Sequence, residues 1–173
     1  MLKKKLKNQV RYHHYGKTTF DQLYKITMSS INIPLSTILP ADAKTLIVDD
    51  SVPTRRIFRN ILEKIGFIVD EAINGQEAFE MLEQKISQYC IIFSDISMPK
   101  MDGFELCYKL QRQEWYDGTP LVLVSTESDA NNVIKGLKLG ADDFLPKPFD
   151  QDIAELVIAR VMSYTPAKTP QCA

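Results

Sequence analysis

Between Lys44 and Ser163, short, largely apolar runs alternate with longer stretches in which apolar residues recur every three or four positions. The short runs are Thr45-Leu46-Ile47-Val48, Phe67-Ile68-Val69, Cys90-Ile91-Ile92-Phe93, Leu121-Val122-Leu123-Val124 and Asp143-Phe144-Leu145. Continuous apolar runs of this length suit strands buried on both faces of a parallel sheet. The stretches between them predict helices. The first starts at Ser51-Val52-Pro53 and runs to about Ile65, with Gly66 as a C′ cap; the second runs from Gln76 to about Lys85 after an Asn74-Gly75 turn. A third covers Phe104 to about Gln113, a fourth Asp129 to Leu139 closing at Gly140, and a fifth Asp150 to Ser163. Five strands alternating with five helices predict an α/β fold, a parallel sheet with helices on both faces.

The periodicity also predicts which side chains turn inward. On the first helix Ile57, Ile61, Leu62 and Ile65 share one face, with Arg55, Arg56 and Arg59 mostly elsewhere. Ala78, Met81, Leu82 and Phe79 are the inward set of the second, and Val133, Ile134 and Leu137 of the fourth. On the fifth, Ile153 and Val157 lie four apart and leave two readings open: an exposed apolar pair that favours dimerisation, or packing on the sheet. Trp115, Met98 and Met101 read as loop anchors.

Composition sets the boundaries. At 173 residues and 45% hydrophobic, the chain has room for one domain with a real core. Residues 1 to 27 hold seven basic residues and one acid, so they carry +6; with −1 for the whole chain, the remainder carries −7. A body that acidic argues against nucleic acid as its ligand and for a divalent cation or a basic partner. The aromatic-bearing basic arm has no sustained periodicity and includes His13-His14, which without further ligands nearby reads as solvated. Met28 is an alternative start. Residues 28 to 40, uncharged and with two prolines, read as a linker, giving an extension at 1–40, a domain at 41–164 and a polar tail at 165–173. Cys90, Cys107 and Cys172 form no CxxC pair, there is no run of roughly twenty apolar residues, and no signal sequence opens the chain; the expectation is a cytoplasmic protein without membrane insertion.

The chemistry collects where the strands end. The third run stops at Asp95, and Pro99 and Asp102-Gly103 after it enforce a non-helical loop. In open parallel sheets ligands bind at the carboxyl ends of the strands. The same edge should receive Asp49-Asp50, Ser125 and Lys147. Three carboxylates about 5 Å apart would repel by roughly 3 kcal/mol per pair at an effective dielectric near 20, unless they diverge or protonate. A hard cation reverses that sign, and Mg²⁺ is the natural candidate because it takes few protein carboxylates and leaves sites for water and phosphoryl oxygen. An aspartate nucleophile, a hydroxyl and an ammonium are what phosphoryl attack on a carboxylate requires.

These residues resemble the receiver domains of two-component response regulators over roughly Ala41 to Ser163. The resemblance rests on Leu46-Ile47-Val48-Asp49-Asp50-Ser51, Arg55-Arg56-Ile57-Phe58-Arg59-Asn60, Asp95 with Met98-Pro99-Lys100-Met101-Asp102-Gly103, and Lys147-Pro148-Phe149. The intervals from Asp95 to Ser125 and from Ser125 to Lys147 match as well; any one motif alone would be weak. The resemblance implies a CheY-like, flavodoxin-like, doubly wound five-stranded parallel sheet of order 2-1-3-4-5 with five helices. It implies that Asp95 accepts a phosphoryl group from a phosphohistidine on a sensor histidine kinase or phosphotransfer protein. Asp49, Asp50, Asp95 and the backbone carbonyl of Ser97 would ligate Mg²⁺, Asp49 directly or through water, while Ser125 and Lys147 would hold the phosphoryl oxygens. Phe144 would rotate as a switch, altering a partner-binding surface of helix four, strand five and helix five, in a monomer or weak homodimer. Glu127 would tune hydrolysis of the acyl phosphate.

Two departures bear on output: Ser125 stands where many relatives have Thr, and Phe144 where chemotaxis members have Tyr. By ungapped offset, Asp129, Ala130 and Val157 occupy positions where chemotaxis members carry motor-binding lysines, which puts flagellar-switch binding in doubt. With only 25 residues after Pro148, the expectation is a single-domain regulator with a protein partner and no DNA, in chemotaxis, as a phosphorelay intermediate, or with a non-motor partner. Its chemistry would be limited to its own phosphorylation and dephosphorylation. A flavin-binding flavodoxin-like protein is the alternative of another class, but Asp49-Asp50 would repel the flavin phosphate. An aspartate-based phosphatase would carry its nucleophile in an Asp-x-Asp-x-Thr arrangement after strand one, which Asp49-Asp50-Ser51-Val52-Pro53 does not provide.

Overall fold

In a computed structural model of the chain, the structure describes residues 35, 39–85, 88–116, 118–126 and 130–164. The order is β1 (Lys44–Val48), α1 (Val52–Ile65), β2 (Ile68–Ala72), α2 (Gly75–Lys85), β3 (Ile91–Asp95), α3 (Gly103–Leu110), β4 (Leu121–Ser125), α4 (Ala130–Leu139), β5 (Asp143–Pro146) and α5 (Gln151–Tyr164). All strand pairs are parallel, in the order β2-β1-β3-β4-β5. The doubly wound arrangement expected from the sequence is therefore present. Among the described residues, no helix is long and apolar enough to cross a membrane.

The alternation of side chains along each strand sorts the core into two layers. Leu46, Val48, Ile92, Leu121 and Leu123 face one side with Ala78 and Leu82 of α2 and Leu106, Cys107 and Leu110 of α3. Ile47, Ile91, Phe93, Val122 and Val124 face the other with Phe58 and Leu62 of α1 and Val157, Ile158 and Val161 of α5. β3 and β4 are buried at every position, as central parallel strands must be. Leu35 and Leu39 pack against the second layer, so the core draws on residues before Ala41. The basic arm with His13-His14, the polar tail, Glu127 and Asp129 lie outside the described residues.

Two inward faces differ from expectation, and a third, left open, is decided. On α1 the buried residues are Arg55, Phe58 and Leu62, and Ile57 is 61% exposed. The helix is turned by one position from its isoleucine-rich face because Phe58 fits between Phe93 and Phe149, with ring centroids 4.9 and 4.6 Å away. On α4, Ile134 is exposed while Gly136 is buried. A Cβ at Gly136 would stand 2.6 Å from Leu123 Cδ1, so the missing side chain lets α4 lie close on β4. On α5, Val157 is 1% exposed and Ile153 packs on the same layer, so the exposed apolar pair does not exist and the dimerisation argument built on it falls. Helix and strand ends moved by one to three residues. β2 runs on to Ala72, which puts Asp70 and Glu71 in a strand rather than a loop.

These faces are open to test by urea unfolding. Val157→Ala should lower stability by roughly 1 to 3 kcal/mol through lost burial and a residual cavity, whereas Ile57→Ala should stay within about 0.5 kcal/mol of wild type, as an exposed site does. The reverse ranking would restore the isoleucine-centred face of α1.

Candidate functional site

Four of the five strands deliver a polar group just as they run out. Asp95 is the last residue of β3; Asp49 and Lys147 are the first residues after β1 and β5, and Ser125 ends β4. Register aligns them: Asp95 pairs with Val124, Ser125 with Pro146, and the Lys147 N–H donates to the Ser125 carbonyl at 2.8 Å. Asp49, Asp95 and Ser125 are buried, whereas Asp50 is exposed. The Lys147–Pro148 peptide is cis.

The side chains converge on one ammonium. Lys147 Nζ donates to Asp49 Oδ2 at 2.7 Å and to Asp95 Oδ1 at 2.6 Å. Asp49 Oδ1 accepts the Ser51 N–H at 2.8 Å, and Asp95 Oδ2 accepts the Ser97 N–H at 2.9 Å. Ser51 is in turn the N-cap of α1, its hydroxyl accepting from the Thr54 N–H. Each carboxylate thus has one oxygen on a loop amide and the other on the shared ammonium.

The loop after Asp95 is fixed from several sides. Ile96 N–H bonds the Val124 carbonyl, Gly103 N–H the Ile96 carbonyl and Gly75 N–H the Met101 carbonyl. Within it, Met101 N–H reaches the Pro99 carbonyl at 2.8 Å across Lys100, whose φ is +67°, a γ-turn conformation uncommon for a residue with a side chain. Asp102 and Gly103 do not extend the loop as expected; Asp102 is the N-cap of α3, its carboxylate accepting the Glu105 N–H at 2.7 Å, and Gly103 is the first helical residue. A Cβ there would stand 2.2 Å from the carbonyl oxygen of Asp95, so only glycine lets α3 start directly behind that aspartate. Met98 and Met101 pack against the core, as anchors should, and Trp115 packs there too, 5.6 Å from Phe79. Phe144 is buried beside Phe104 and Leu123 where they meet Gly136.

The electrostatics follow from two carboxylates sharing one cation. Burial would push Lys147 down, but the hydrogen bonds it donates to both aspartates outweigh it and hold its pKa above the ordinary lysine value. Asp95 goes the other way: burial raises its pKa, and half a share of Lys147 does not offset that, with the Asp49 charge adding to the rise. The trio is left with one surplus negative charge. Among the described residues no three His, Cys, Asp or Glu side chains are grouped to hold a metal ion, and Asp50 is exposed. The donor chemistry nevertheless fits Mg²⁺, a hard cation satisfied by one or two carboxylates plus waters, and each aspartate oxygen retains acceptor capacity beyond its one bond.

Sequence reasoning missed Arg55 and Glu71, which lie behind this site. Arg55 is buried with its Nη1 on the Asp49 carbonyl at 2.7 Å and its Nε on Glu71 Oε2 at 3.0 Å. The signal was a charged residue inside β2 and two arginines four apart on α1, hidden by the misplaced strand end and helix face.

Comparison with known proteins agrees in one direction. The family described as the response regulator receiver domain matches residues 45–159. The transcriptional regulatory protein SrrA of Staphylococcus aureus is 33% identical over 124 residues, 72% of this chain and 49% of the relative. The chain spans about half the length of the sequence relatives it matches. Among solved structures, the chemotaxis protein CheY4 of Vibrio cholerae superposes with a TM-score of 0.65 at 33% identity, covering 70% of this chain and 99% of that one. The receiver domain of the sensor histidine kinase PA1611 of Pseudomonas aeruginosa PAO1, a structure with a magnesium ion coordinated in its active-site cleft, shares the fold at TM-score 0.65 and 22% identity, covering 71% of this chain and 99% of that one.

Removing the shared ammonium exposes the surplus charge. Lys147→Ala should destabilise the protein at pH 7 by about 3 to 5 kcal/mol, the penalty for stranding one side of a buried pair. Because the folded-state pKa of Asp95 is raised, its ionisation opposes folding as pH rises through that value, so the deficit should shrink on acidification. Urea midpoints at pH 7 and pH 5 check this; a deficit that grows toward acid would mean that Lys147 does not neutralise Asp95.

Proposed function

The chain belongs to the response regulator receiver domain family of two-component signalling, CheY-like in fold, and from that premise we propose that Asp95 is its phospho-acceptor, in the cytoplasm. The observation that carries the reading is Lys147 Nζ held between Asp49 and Asp95 at 2.7 and 2.6 Å. A buried carboxylate at a strand end, with a cation already beside the oxygen that would attack, has the parts of a phosphoryl acceptor.

In the proposed step an Asp95 oxygen attacks the phosphorus of a phosphohistidine on a sensor histidine kinase or phosphotransfer protein. A phosphorus–oxygen bond forms, the phosphorus–nitrogen bond breaks, and its electron pair leaves with the imidazole. Lys147 stays to pair with the phosphoryl oxygens, and the Ser125 hydroxyl, buried at the adjacent strand end, donates to one of them. Asp49, Asp50, Asp95 and the Ser97 carbonyl are the oxygens assigned to hold Mg²⁺, which when bound supplies positive charge to the transferring group. The Ser97 N–H, already on Asp95 Oδ2 at 2.9 Å, orients the carboxylate for attack. The magnesium in the cleft of the PA1611 receiver supports this assignment by likeness of fold.

Drawing Ser125 toward the phosphoryl group would pull its loop inward. Phe144, one strand over and packed against Phe104 and Leu123, then repacks, and the surface of α4, β5 and α5 changes for a protein partner. Transcriptional regulation is the named role of a relative of which this chain spans about half; the step assigned here is the receiver's own.

Two measurements test the reading. Incubation with labelled acetyl phosphate and Mg²⁺ should give an alkali- and hydroxylamine-labile label that Asp95→Asn abolishes, and a label persisting in the variant would move the acceptor elsewhere. Mg²⁺ should also raise the melting temperature, with a stabilisation of about 2.7 kcal/mol at one hundred times its dissociation constant; an unchanged melting temperature at millimolar Mg²⁺ would remove the metal from the site.

A further inference from the structure

Asp50 is exposed, and among the described residues no side-chain hydrogen bond or ion pair of its own holds it. Its position is therefore set by its backbone. The peptide that joins it to Asp49 is planar, so the direction of the Asp49 carbonyl fixes the direction in which the Asp50 N–H and Cα leave. That carbonyl is gripped from behind by Arg55 Nη1 at 2.7 Å.

Arg55 is itself buried, and a buried guanidinium is tolerated only when its charge and its fork of donors are met. Glu71 on β2 meets both. Its Oε2 takes Arg55 Nε at 3.0 Å, and its Oε1 takes Arg59 Nε at 2.6 Å. Burial alone would raise the Glu71 pKa, but the bonds from Arg59 and Arg55 hold it below the ordinary glutamate value, so Glu71 is the fixed anion of the group. Arg59 has two further partners, the Val69 carbonyl at 3.0 Å and Glu63 at 3.2 Å, and neither belongs to the acidic loop. Two arginines thus share one glutamate, but only Arg55 continues to the site.

We propose that Arg55, clamped by Glu71, is a positioning residue that orients the Asp49–Asp50 peptide and so aims Asp50 at the cation held with Asp49 and Asp95. The proposal rests on the reading of those aspartates given above, and it deepens it by naming the group behind the acidic loop that sets affinity for Mg²⁺. Glu71 also has an electrostatic part: it cancels the Arg55 charge, which would otherwise sit against the carbonyl of Asp49 and repel an incoming cation.

Three variants separate positioning from plain stability. Arg55→Lys keeps the charge, but a single ammonium cannot reproduce the two-armed fork between Glu71 and the Asp49 carbonyl. Glu71→Gln keeps the shape and removes the anion. Arg59→Gln loses contacts to Glu71 and Val69 without touching Asp49, and serves as the structural control. Arg55→Lys and Glu71→Gln should each weaken Mg²⁺ binding, measured by calorimetry, by about tenfold or more, the usual consequence of losing a partner behind a metal ligand. In metal-free protein, amide hydrogen exchange at Ser51, whose N–H is held by Asp49 Oδ1, should speed up by a similar factor of about ten. Arg59→Gln should lower the melting temperature as much while changing both readouts less than about threefold. An Arg55→Lys variant within about twofold of wild type in both, or an Arg59→Gln variant that matches it, would overturn the proposal. A wild-type chain that binds no Mg²⁺ would instead defeat the functional reading, and the metal-free exchange comparison would then decide the positioning role by the same criterion.

Discussion

One ammonium between two buried carboxylates is the interaction on which the rest of this structure depends. Lys147 reaches both Asp49 and Asp95 because it leaves β5 while they leave β1 and β3. Because every strand is parallel, these ends meet at one edge, and the order β2-β1-β3-β4-β5 sets Asp49 and Asp95 on neighbouring strands. The arrangement is stable enough to fold and remains short of full neutralisation. A second lysine would close the balance and remove any call for a cation, whereas no lysine would leave two like charges buried together, each suppressing the other's ionisation. The surplus charge is thus both what the fold tolerates and what gives the edge its chemistry.

The loops translate this electrostatic constraint into backbone geometry. Asp49 and Asp95 each keep one oxygen on an amide two residues ahead, from Ser51 and Ser97, so the carboxylates are oriented before any ligand arrives. Behind Asp95 the chain must reverse into α3 within a few residues, and the near contact of Gly103 with the Asp95 carbonyl shows how little room remains. The γ-turn at Lys100 belongs to the same reversal. Strain of this kind persists where surrounding bonds over-determine the backbone, and here Ile96, Met101 and Gly103 all make such bonds.

What could be read from the sequence divides along physical lines. The strands were legible because uncharged runs ending in a polar residue have few interpretations, and their ends carried Asp49, Asp95, Ser125 and Lys147 with them. The choice of helix face was less legible. On α1 the isoleucines form an apolar stripe as convincing as the real one, and only the aromatic contacts of Phe58 with Phe93 and Phe149 decide between them. Both partners are remote in sequence. Glycine was hard to read: Gly103 reads as part of a loop and Gly136 adds nothing to an apolar stripe, yet each marks a close approach whose other party is Asp95 or Leu123. Periodicity reports how a residue relates to its own element. It is silent on what that element meets.

Arg55 shows why the two kinds of information must be combined. As a sequence position it was an arginine on a helix face assigned mostly to solvent, and as a buried residue alone it would be an unfavourable charge. With Glu71 supplied by β2, the charge is met and a second arm is left over. That arm lands on the carbonyl of Asp49, whose side chain already faces Lys147. The backbone of one residue is therefore held by a cation from α1 and its carboxylate by a cation from β5. Each grip constrains a different set of torsions, so neither substitutes for the other: Lys147 sets the charge at the edge, and Arg55 sets the direction from which the next acid approaches it.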